Sequence, residues 1–282
     1  MERQGSVKTI RELRLALDRQ AGKKIGFVPT MGALHEGHLS LVGQARQDCD
    51  VVVVSVFVNP LQFGPAEDLA EYPRLLDEDV TSARGAGADI IFAPAVEEMY
   101  PEPMVAKVRV EGLEDVLCGK YRPGHFAGVA TVVVKLLNIV RPERAYFGAK
   151  DWQQLIIVRK VVKDFNLAVE IVAMPTVRDA DGLAKSSRNR YLSPKEREAA
   201  LVLPAGIQAA AKMIAAGERD AGRVIAAAKE VIAAQPGVKL EYFSIRGPLD
   251  LLPVDVIAGE VLVAAAVYVG RARLIDNMVI KV

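Results

Sequence analysis

Apolar residues follow two different patterns along the chain, and the two patterns predict two kinds of architecture. From Ile25 to Pro175, short apolar runs such as Val51–Val58 alternate with segments that repeat apolar residues every three or four positions. Continuous β-branched runs are typical of parallel strands buried on both faces, and spacings of three and four indicate helices. This alternation predicts βαβ units in a Rossmann-like, doubly wound, mainly parallel sheet.

The elements of this first part can be bounded from the same pattern. After a helix over residues 8–20, the predicted strands are Ile25–Val28, Val51–Val58, Asp89–Pro94, Arg144–Ala149 and Ala168–Met174. The other predicted helices are one that ends near Arg46, and Pro73–Gly87, His125–Val140 and Asp151–Phe165.

The pattern changes near residue 176. Two alanine-rich helical segments, Ser193–Ala216 and Asp220–Gln235, precede three strand-like segments, and Pro204 predicts a kink or break in the first helix. Helices followed by strands indicate a smaller α+β domain. The predicted domains are therefore residues 1–176 and residues 177–282.

Composition narrows the class of protein. Of 282 residues, 51% are hydrophobic, and the formal net charge is only +1. A nucleic-acid-binding surface would be clearly basic, so no nucleic-acid partner is expected. Cys49 and Cys118 form neither a disulfide framework nor a metal knuckle, which indicates a reducing compartment. No apolar run approaches the ~20 residues that span a bilayer, and Met1–Val7 is polar. We expect a soluble, cytoplasmic protein without a membrane partner.

The segment between the first strand and the helix that follows it carries the strongest chemical signal. Amides and the dipole at a helix N-terminus favour anions, and two histidines three positions apart share a helix face. A polyphosphate site is therefore predicted. Ordinary structural histidines and a metal site are the alternatives, although no further ligand stands at metal-binding spacing nearby. The residues of this segment are Met31, Gly32, Ala33, Leu34, His35, Glu36, Gly37 and His38.

A second segment with phosphate-binding chemistry follows the turn at Arg178–Gly182. Lys185, Ser186, Ser187 and Arg188 place two cations and two hydroxyls on consecutive residues, and these groups can hold phosphoryl oxygens. Such a loop alone is usually solvated surface. Together with the histidine segment it resembles the signature of adenylate-forming nucleotidylyl transferases of the HIGH-motif superfamily.

Five longer motifs occur in the order found in pantothenate synthetases (pantoate–β-alanine ligases), and the chain resembles this family from about residue 25 to 195. The resemblance implies an ATP- and Mg²⁺-dependent ligase that condenses (R)-pantoate with β-alanine through a pantoyl-adenylate, releasing pyrophosphate and AMP. It also implies pantothenate and coenzyme A biosynthesis, a cytoplasmic location and a homodimer. The motifs are Pro29–His38, Phe57–Phe63, Pro123–Phe126, Phe147–Gln154 and Ser186–Leu192.

The resemblance also assigns residues. It makes the histidine segment an ATP-binding turn with His38 as proton donor, and it makes Gln62 a ligand of pantoate and β-alanine and Gln154 a ligand of pantoate. His35, Lys150 and Arg188 are expected to act with His38 in stabilising the negative charge that develops as pyrophosphate leaves. One departure is Lys185, where the family usually has methionine. The remaining implied ATP contacts are Gly148, Ala149, Lys150, Asp151, Val177, Lys185, Ser186, Ser187 and Arg188.

Several alternatives stay open from the sequence alone. One alternative is a transferase that acts on a phosphorylated acceptor, although such an acceptor would call for more cations near Gln62 and Gln154. A second is an aminoacyl-tRNA synthetase fragment, although this chain has no helical tRNA-binding extension. A third is a nucleotide-binding module without catalytic activity. His125 is either a helix cap or a site residue. The acidic run Asp77–Asp79 is expected to form a solvated helix face rather than a Mg²⁺ site, and no Mg²⁺ ligand is assigned.

Overall fold

The computed structural model describes residues 5–65 and 67–282, and these residues form two compact units. The first unit comprises the described residues up to Asp115 together with Gly119–Ala149 and Ile157–Pro175. The second comprises Thr176–Val282 and two short earlier segments, Val116–Cys118 and Lys150–Ile156. The predicted division at residue 176/177 stays a prediction.

The chain up to residue 175 alternates helices and strands, as the apolar pattern predicts. Its strands are β1 (Ile25–Thr30), β2 (Val51–Val56), β3 (Ile90–Phe92), β4 (Arg144–Gly148) and β5 (Glu170–Met174). Its helices are α1 (Ile10–Asp18), α2 (Glu36–Asp48), α3 (Leu76–Gly85), α4 (Val96–Met99), α5 (Cys118–Tyr121), α6 (His125–Val140) and α7 (Trp152–Asp164). Two 3-10 turns, Pro60–Gln62 and Ala149–Asp151, follow β2 and β4.

The five strands form one parallel sheet in the order β3-β2-β1-β4-β5. β1 pairs with β2 from Ile25↔Val51 to Thr30↔Val56, and on its other side it pairs with β4. The strand order reverses between β1 and β4, and ligands of open α/β sheets bind at such a reversal, beyond the carboxyl ends of the strands.

Both faces of the sheet are covered, which explains the continuous apolar runs. Val28 and Val54 pack with Val42 of α2 on one face. Side chains alternate along a strand, so Phe27 and Val53 point the other way, and they are buried as well. α1 packs against β3 and α6 packs against β1, while α2 packs against β1, β2 and β4. The predicted doubly wound, Rossmann-like fold is confirmed.

The second unit has the predicted α+β character. Strands β6 (Val238–Arg246), β7 (Glu260–Val269) and β8 (Ala272–Lys281) form an antiparallel sheet in that order. Helices α8 (Pro194–Ala200), α9 (Val202–Ala215) and α10 (Ala221–Ala233) precede the sheet in sequence. α9 packs on β7 and β8, and α10 packs on β6 and on α9.

The predicted break near Pro204 lies at Leu201, between α8 and α9. Proline lacks the N–H that would bond to the carbonyl four residues earlier, so the helix is interrupted before it. The combined stretch Pro194–Ala215 is long and apolar enough to pass a length-and-composition test for a membrane helix. Leu203 and Ile207 are nevertheless buried in the core of the second unit, so it packs there as a core helix.

Leu203→Ala tests how much α9 contributes to the second unit. Leu203 is 1% exposed in its core, so truncation should lower the free energy of unfolding by about 3 kcal/mol through lost burial and the cavity left behind. Leu252→Ala is the matched control, because Leu252 is 61% exposed and should change stability by less than about 0.5 kcal/mol. Urea unfolding measures both changes in the free energy of unfolding. Equal losses in the two variants would contradict the packing of Leu203 in the core of the second unit.

Candidate active site

The turn between β1 and α2 has an unusual backbone shape. Gly32 and Ala33 both have positive φ, at 83° and 50°. A Cβ on Gly32 would lie 2.8 Å from an Asp79 carboxylate oxygen, so only glycine fits there. The Thr30 hydroxyl donates to the Ser55 carbonyl (2.7 Å) and accepts from the Gly32 amide (3.2 Å), which ties the turn to β2.

A buried carboxylate holds this turn in place. The Asp79 oxygens accept hydrogen bonds from the Ala33 amide (3.0 Å) and the Leu34 amide (2.7 Å). Asp79 is only 3% exposed, whereas Asp77 and Glu78 are exposed. The expectation of a solvated acidic face is therefore wrong for Asp79, because its carboxylate is directed inward to the turn.

The sequence did contain a signal for Asp79. The residue lies four positions after Leu75 and four before Ala83, so it falls on the apolar stripe of α3. A carboxylate on an apolar stripe must be paired when buried. The stripe identifies the position as buried but gives no indication of the partner, which is 46 residues away.

The two histidines shape the start of α2. His35 is the N-cap residue, and its Nδ1 accepts from the Gly37 amide at 3.1 Å. The Nδ1 of His38 accepts from the His35 amide at 3.4 Å, and the two ring centroids are 4.1 Å apart. Because both Nδ1 atoms act as acceptors, the proton of each neutral ring lies on Nε2. The turn thus holds two adjacent imidazole N–H donors at a helix N-terminus, a combination suited to phosphate oxygens.

Gln62 lies close to this turn within the first unit. Its side chain is 7% exposed and donates from Nε2 to the Met31 sulfur at 2.9 Å. The Asn59 amide donates to Gln62 Oε1 at 3.0 Å and to the Gly128 carbonyl at 3.2 Å. These contacts fix the orientation of the Gln62 amide, with its NH₂ group on the side of Met31.

Asn59 and Tyr100 belong to this arrangement, although neither was predicted as a site residue. Asn59 is 1% exposed, and its Oδ1 accepts from the Tyr100 hydroxyl at 2.8 Å. Burial raises the pKa of Tyr100 to about 12, so the hydroxyl stays protonated and donates. The sequence signal was the place of Asn59 directly after a buried strand, where ligand-binding loops lie in open sheets.

His125 supports Gln62 rather than capping α6, whose N-cap residue is Gly124. The His125 Nε2 lies 3.0 Å from an Arg122 nitrogen, which can only donate, so Nε2 accepts. The His125 Nδ1–H therefore donates to the Gln62 carbonyl, 2.8 Å away. Arg122 in turn forms a two-point ion pair with Glu67. The geometry thus places His125 beside Gln62, and a role of His125 in the site stays a prediction.

A small cavity of about 240 Å³ adjoins this network. Gln62, His125 and Thr131 contribute polar groups to its lining, and Lys107 contributes a cation. A cavity with convergent polar groups and one positive charge suits a small carboxylate-bearing molecule.

In the second unit, two sequence-predicted ATP contacts lie side by side. The Lys185 amide donates to the Val177 carbonyl at 2.9 Å, which joins two segments across the Asp179–Gly182 turn. The Lys185 ammonium forms an ion pair with Asp179 at 2.5 Å, and Arg197 also contacts this carboxylate. The Lys185 hydrogen bond outweighs the effect of burial, and with the nearby positive charges it lowers the pKa of Asp179.

Most of the remaining predicted contacts lie on or beside two short 3-10 turns, and Gly148 ends β4 directly before the first of them. Ser186 is the N-cap residue of a turn at Ser187–Tyr191 and accepts from the Arg188 amide at 3.3 Å. Lys150 and Asp151 end the turn that precedes α7, and Gln154 lies in the first turn of that helix.

Within residues 5–65 and 67–282, no group of three or more His, Cys, Asp or Glu side chains is arranged to hold a metal ion. Mg²⁺ is commonly bound through substrate phosphates and water, with few protein ligands.

Comparison with known proteins identifies close relatives. The family model described as pantoate-beta-alanine ligase matches residues 5–279. A pantothenate synthetase of Moorella thermoacetica is 55% identical over 268 residues, which cover 95% of each chain. A pantothenate synthetase of Heliobacterium modesticaldum is 54% identical over 278 residues, covering 98% of this chain and 99% of the relative.

Solved structures agree with the sequence relatives. A pantothenate synthetase from Thermus thermophilus matches with a TM-score of 0.93 at 48% identity, covering 98% of this chain and 99% of the other. A pantoate–β-alanine ligase from Francisella tularensis, complexed with β-γ ATP and β-alanine, matches with a TM-score of 0.80 at 33% identity. That match covers 98% of this chain and 97% of the other.

Asp79→Asn tests the carboxylate that holds the turn. The amide keeps one acceptor oxygen but presents NH₂ to the second backbone N–H, which is left buried without an acceptor. The free energy of unfolding should fall by about 1–3 kcal/mol. Asp77→Asn, the same change at an exposed position of α3, is the control and should be nearly neutral. Equal stability of the two variants in urea unfolding would show that the Asp79 hydrogen bonds do not stabilise the turn.

Glu67→Gln tests the Arg122–Glu67 ion pair through pH. Burial acts to raise the pKa of Glu67, but the hydrogen bond and charge of Arg122 outweigh it and, with the Gly64 amide, lower this pKa below the usual 4.5. A depressed carboxyl pKa stabilises the folded state above the unfolded pKa and ceases to do so as pH falls through the folded value.

The Tm of the wild type should therefore exceed that of Glu67→Gln by the largest amount at pH 7, and this difference should shrink below about pH 4.5. Calorimetry from pH 3 to 7 measures it. Glu97→Gln, at an exposed position, is the control. A difference that stayed constant across this range would disprove the role of the ion pair.

Proposed function

The chain belongs to the pantoate–β-alanine ligase family, and on that premise we propose how its residues carry out the family's reaction. It is an ATP-dependent ligase that condenses (R)-pantoate with β-alanine to give pantothenate. The alternatives of a transferase to a phosphorylated acceptor and of a non-catalytic module are therefore set aside.

The first step that we propose is attack of a pantoate carboxylate oxygen on the α-phosphorus of ATP. A new P–O bond forms, the bond to the bridging oxygen breaks, and pyrophosphate leaves, so that pantoyl-adenylate remains. The substrate supplies the nucleophile, and the protein must align the reactants and stabilise the developing negative charge.

The paired imidazoles at the start of α2 are the observation that supports this step most directly. The Nδ1 atoms of His35 and His38 accept backbone hydrogen bonds, and their ring centroids lie 4.1 Å apart. Their Nε2–H groups are then donors of fixed orientation for phosphate oxygens, with His38 as the proton donor. The other ATP contacts in the turn are Met31, Gly32, Ala33, Leu34, Glu36 and Gly37.

Gln62 would bind pantoate through the NH₂ group that its neighbours orient. Its Oε1 accepts from Asn59, and one amide proton is directed to Met31, which leaves a second proton for a hydroxyl or carboxylate oxygen. An uncharged donor orients the substrate without binding the anion so tightly that it cannot react. Gln154 is proposed as the second pantoate ligand, and Gln62 also borders the β-alanine position.

In the second unit, the proposed ATP contacts are charge-bearing and hydroxyl groups. Arg188 and Lys150 supply positive charge to the leaving phosphates, and Ser186 and Ser187 supply hydroxyls. The Lys185 ammonium is paired with Asp179, so we assign its contact with ATP to the backbone. Methionine, which the family usually has here, would serve such a contact equally well. The remaining proposed contacts are Gly148, Ala149, Asp151 and Val177.

In the second step, the β-alanine amine attacks the carbonyl carbon of the mixed anhydride. A C–N bond forms, the bond to the phosphate oxygen breaks, the nitrogen loses a proton, and AMP leaves. The anhydride is already activated, so exclusion of water is the main requirement. Mg²⁺ bound to the phosphates would offset their charge. We further propose a cytoplasmic homodimer, as the family resemblance implies.

Release of pyrophosphate and AMP from ATP and Mg²⁺ tests the proposed reaction. Pantoate alone should give a stoichiometric pyrophosphate burst, and sustained AMP release should need pantoate and β-alanine together. Pyrophosphate release that depends on β-alanine as well as pantoate would contradict a separate adenylate step.

His38→Ala should lower the single-turnover rate of pyrophosphate release by about 10²–10³-fold, because a donor to the transition state is lost. ATP affinity should change only a few-fold. His38→Asn is the sharper variant, since its side-chain oxygen can still accept from the His35 amide while the Nε2–H donor is gone. It should be as slow as His38→Ala. Weakened ATP binding with an intact single-turnover rate would refute the role of His38.

A further inference from the structure

The second unit contains two short segments from earlier in the chain, and specific side chains hold them there. The Asn277 amide donates to the Lys150 carbonyl at 2.7 Å, and the Trp152 indole N–H donates to the Pro248 carbonyl at 2.8 Å. Gln153 donates to the Val116 carbonyl at 2.7 Å. Side chains and carbonyls of the second unit therefore hold the start of α7 in place, in addition to the hydrogen bonds within the helix.

Successive side chains of β8 point to opposite faces of the sheet, so neighbouring residues make different contacts. Ala272, Leu274 and Asp276 are buried on the face that belongs to the core of the second unit. Arg273 and Asn277 point to the opposite face. On that face Arg273 contacts the Cys118 sulfur at 3.4 Å, and Asn277 contacts Lys150. This second face of the sheet is thus the one that receives both earlier segments.

A β-bulge adds to the same face. The pairing of β6 with β7 shifts between Leu240 and Tyr242, so Glu241 is an extra residue in the strand. A bulge directs two successive side chains to one side. Accordingly, Glu241 forms a two-point ion pair with Arg273, and Tyr242 contacts the Cys118 sulfur at 3.1 Å.

Asp276 fixes another segment of the same unit. Its carboxylate, 2% exposed, forms two hydrogen bonds with the Arg178 guanidinium, at 2.7 and 2.8 Å. Arg178 directly follows Val177, one of the proposed ATP contacts. Adjacent residues of one strand therefore hold two segments to which ATP contacts are assigned.

We propose that Asn277 is a positioning residue for adenylation, acting through the Lys150 carbonyl on the first turn of α7. This inference rests on the proposed function, in which Lys150 contacts ATP and Gln154 contacts pantoate. When the hydrogen bond is lost, the turn can shift by a fraction of an ångström, and misplacement of reacting groups lowers the rate steeply. We therefore expect loss of this hydrogen bond to lower the rate more than it weakens binding or folding.

Asn277→Ala tests the proposal through pyrophosphate release in a rapid-mix experiment with ATP, Mg²⁺ and pantoate. The burst rate should fall about tenfold or more while the burst amplitude per enzyme stays close to one. A merely structural defect would reduce the amplitude, because part of the enzyme would be inactive. The Tm should fall by only about 2–4 °C, as expected for one hydrogen bond.

Two further variants complete the test. Asn277→Asp keeps the side chain's size but places a carboxylate oxygen against the Lys150 carbonyl, so its burst should be slower still. Asn138→Ala is the matched control, because its exposed amide donates to a carbonyl within α6, and it should leave the burst unchanged.

Two results would count against the proposal, and they are distinguishable. A normal wild-type burst together with a normal burst rate in the Asn277 variants would overturn the positioning role alone. Absence of a pantoate-dependent burst in the wild-type enzyme would overturn the proposed function, and the positioning role with it.

Discussion

A single buried carboxylate, Asp79, supports the shape of the turn on which the proposed chemistry of the first unit depends. Two consecutive residues, Gly32 and Ala33, adopt positive φ, which costs about 1 kcal/mol or more at the alanine. The two charge-assisted hydrogen bonds from this turn to Asp79 offset that cost. Because the turn ends where α2 begins, its shape decides where the rings of His35 and His38 stand.

Hydrogen-bonded neighbours likewise hold Gln62, the proposed pantoate ligand of the first unit, in one orientation. Asn59 determines which end of the Gln62 amide is the acceptor, and His125 holds the backbone carbonyl of the same residue. The close approach of α6 makes this possible, since a Cβ on Gly128 would lie 2.1 Å from the Leu61 carbonyl oxygen. Glycine at that position allows the helix and the 3-10 turn to share hydrogen bonds.

The small sheet of the second unit has two occupied faces with different roles. One face, with Leu274 and Asp276, packs into the helical core. The other carries Arg273 and Asn277, which bond to segments far away in sequence. A sheet covered on one face by helices ordinarily leaves the other to solvent. Here that face binds backbone and side chains from two earlier parts of the chain.

The sequence by itself determined the strands and the longer helices, the fold class and the location of the histidine turn, whereas the short helices α4 and α5 were not predicted. These features depend on local periodicity and on motifs within ten residues, as the match of the predicted helix His125–Val140 with the observed one illustrates. The tertiary structure alone decided the partners of Asp79 and Asn277 and the ion pair of Lys185 with Asp179. Asn277 and Lys150 are 127 residues apart, and periodicity indicates that a side chain is buried without specifying which distant group it meets.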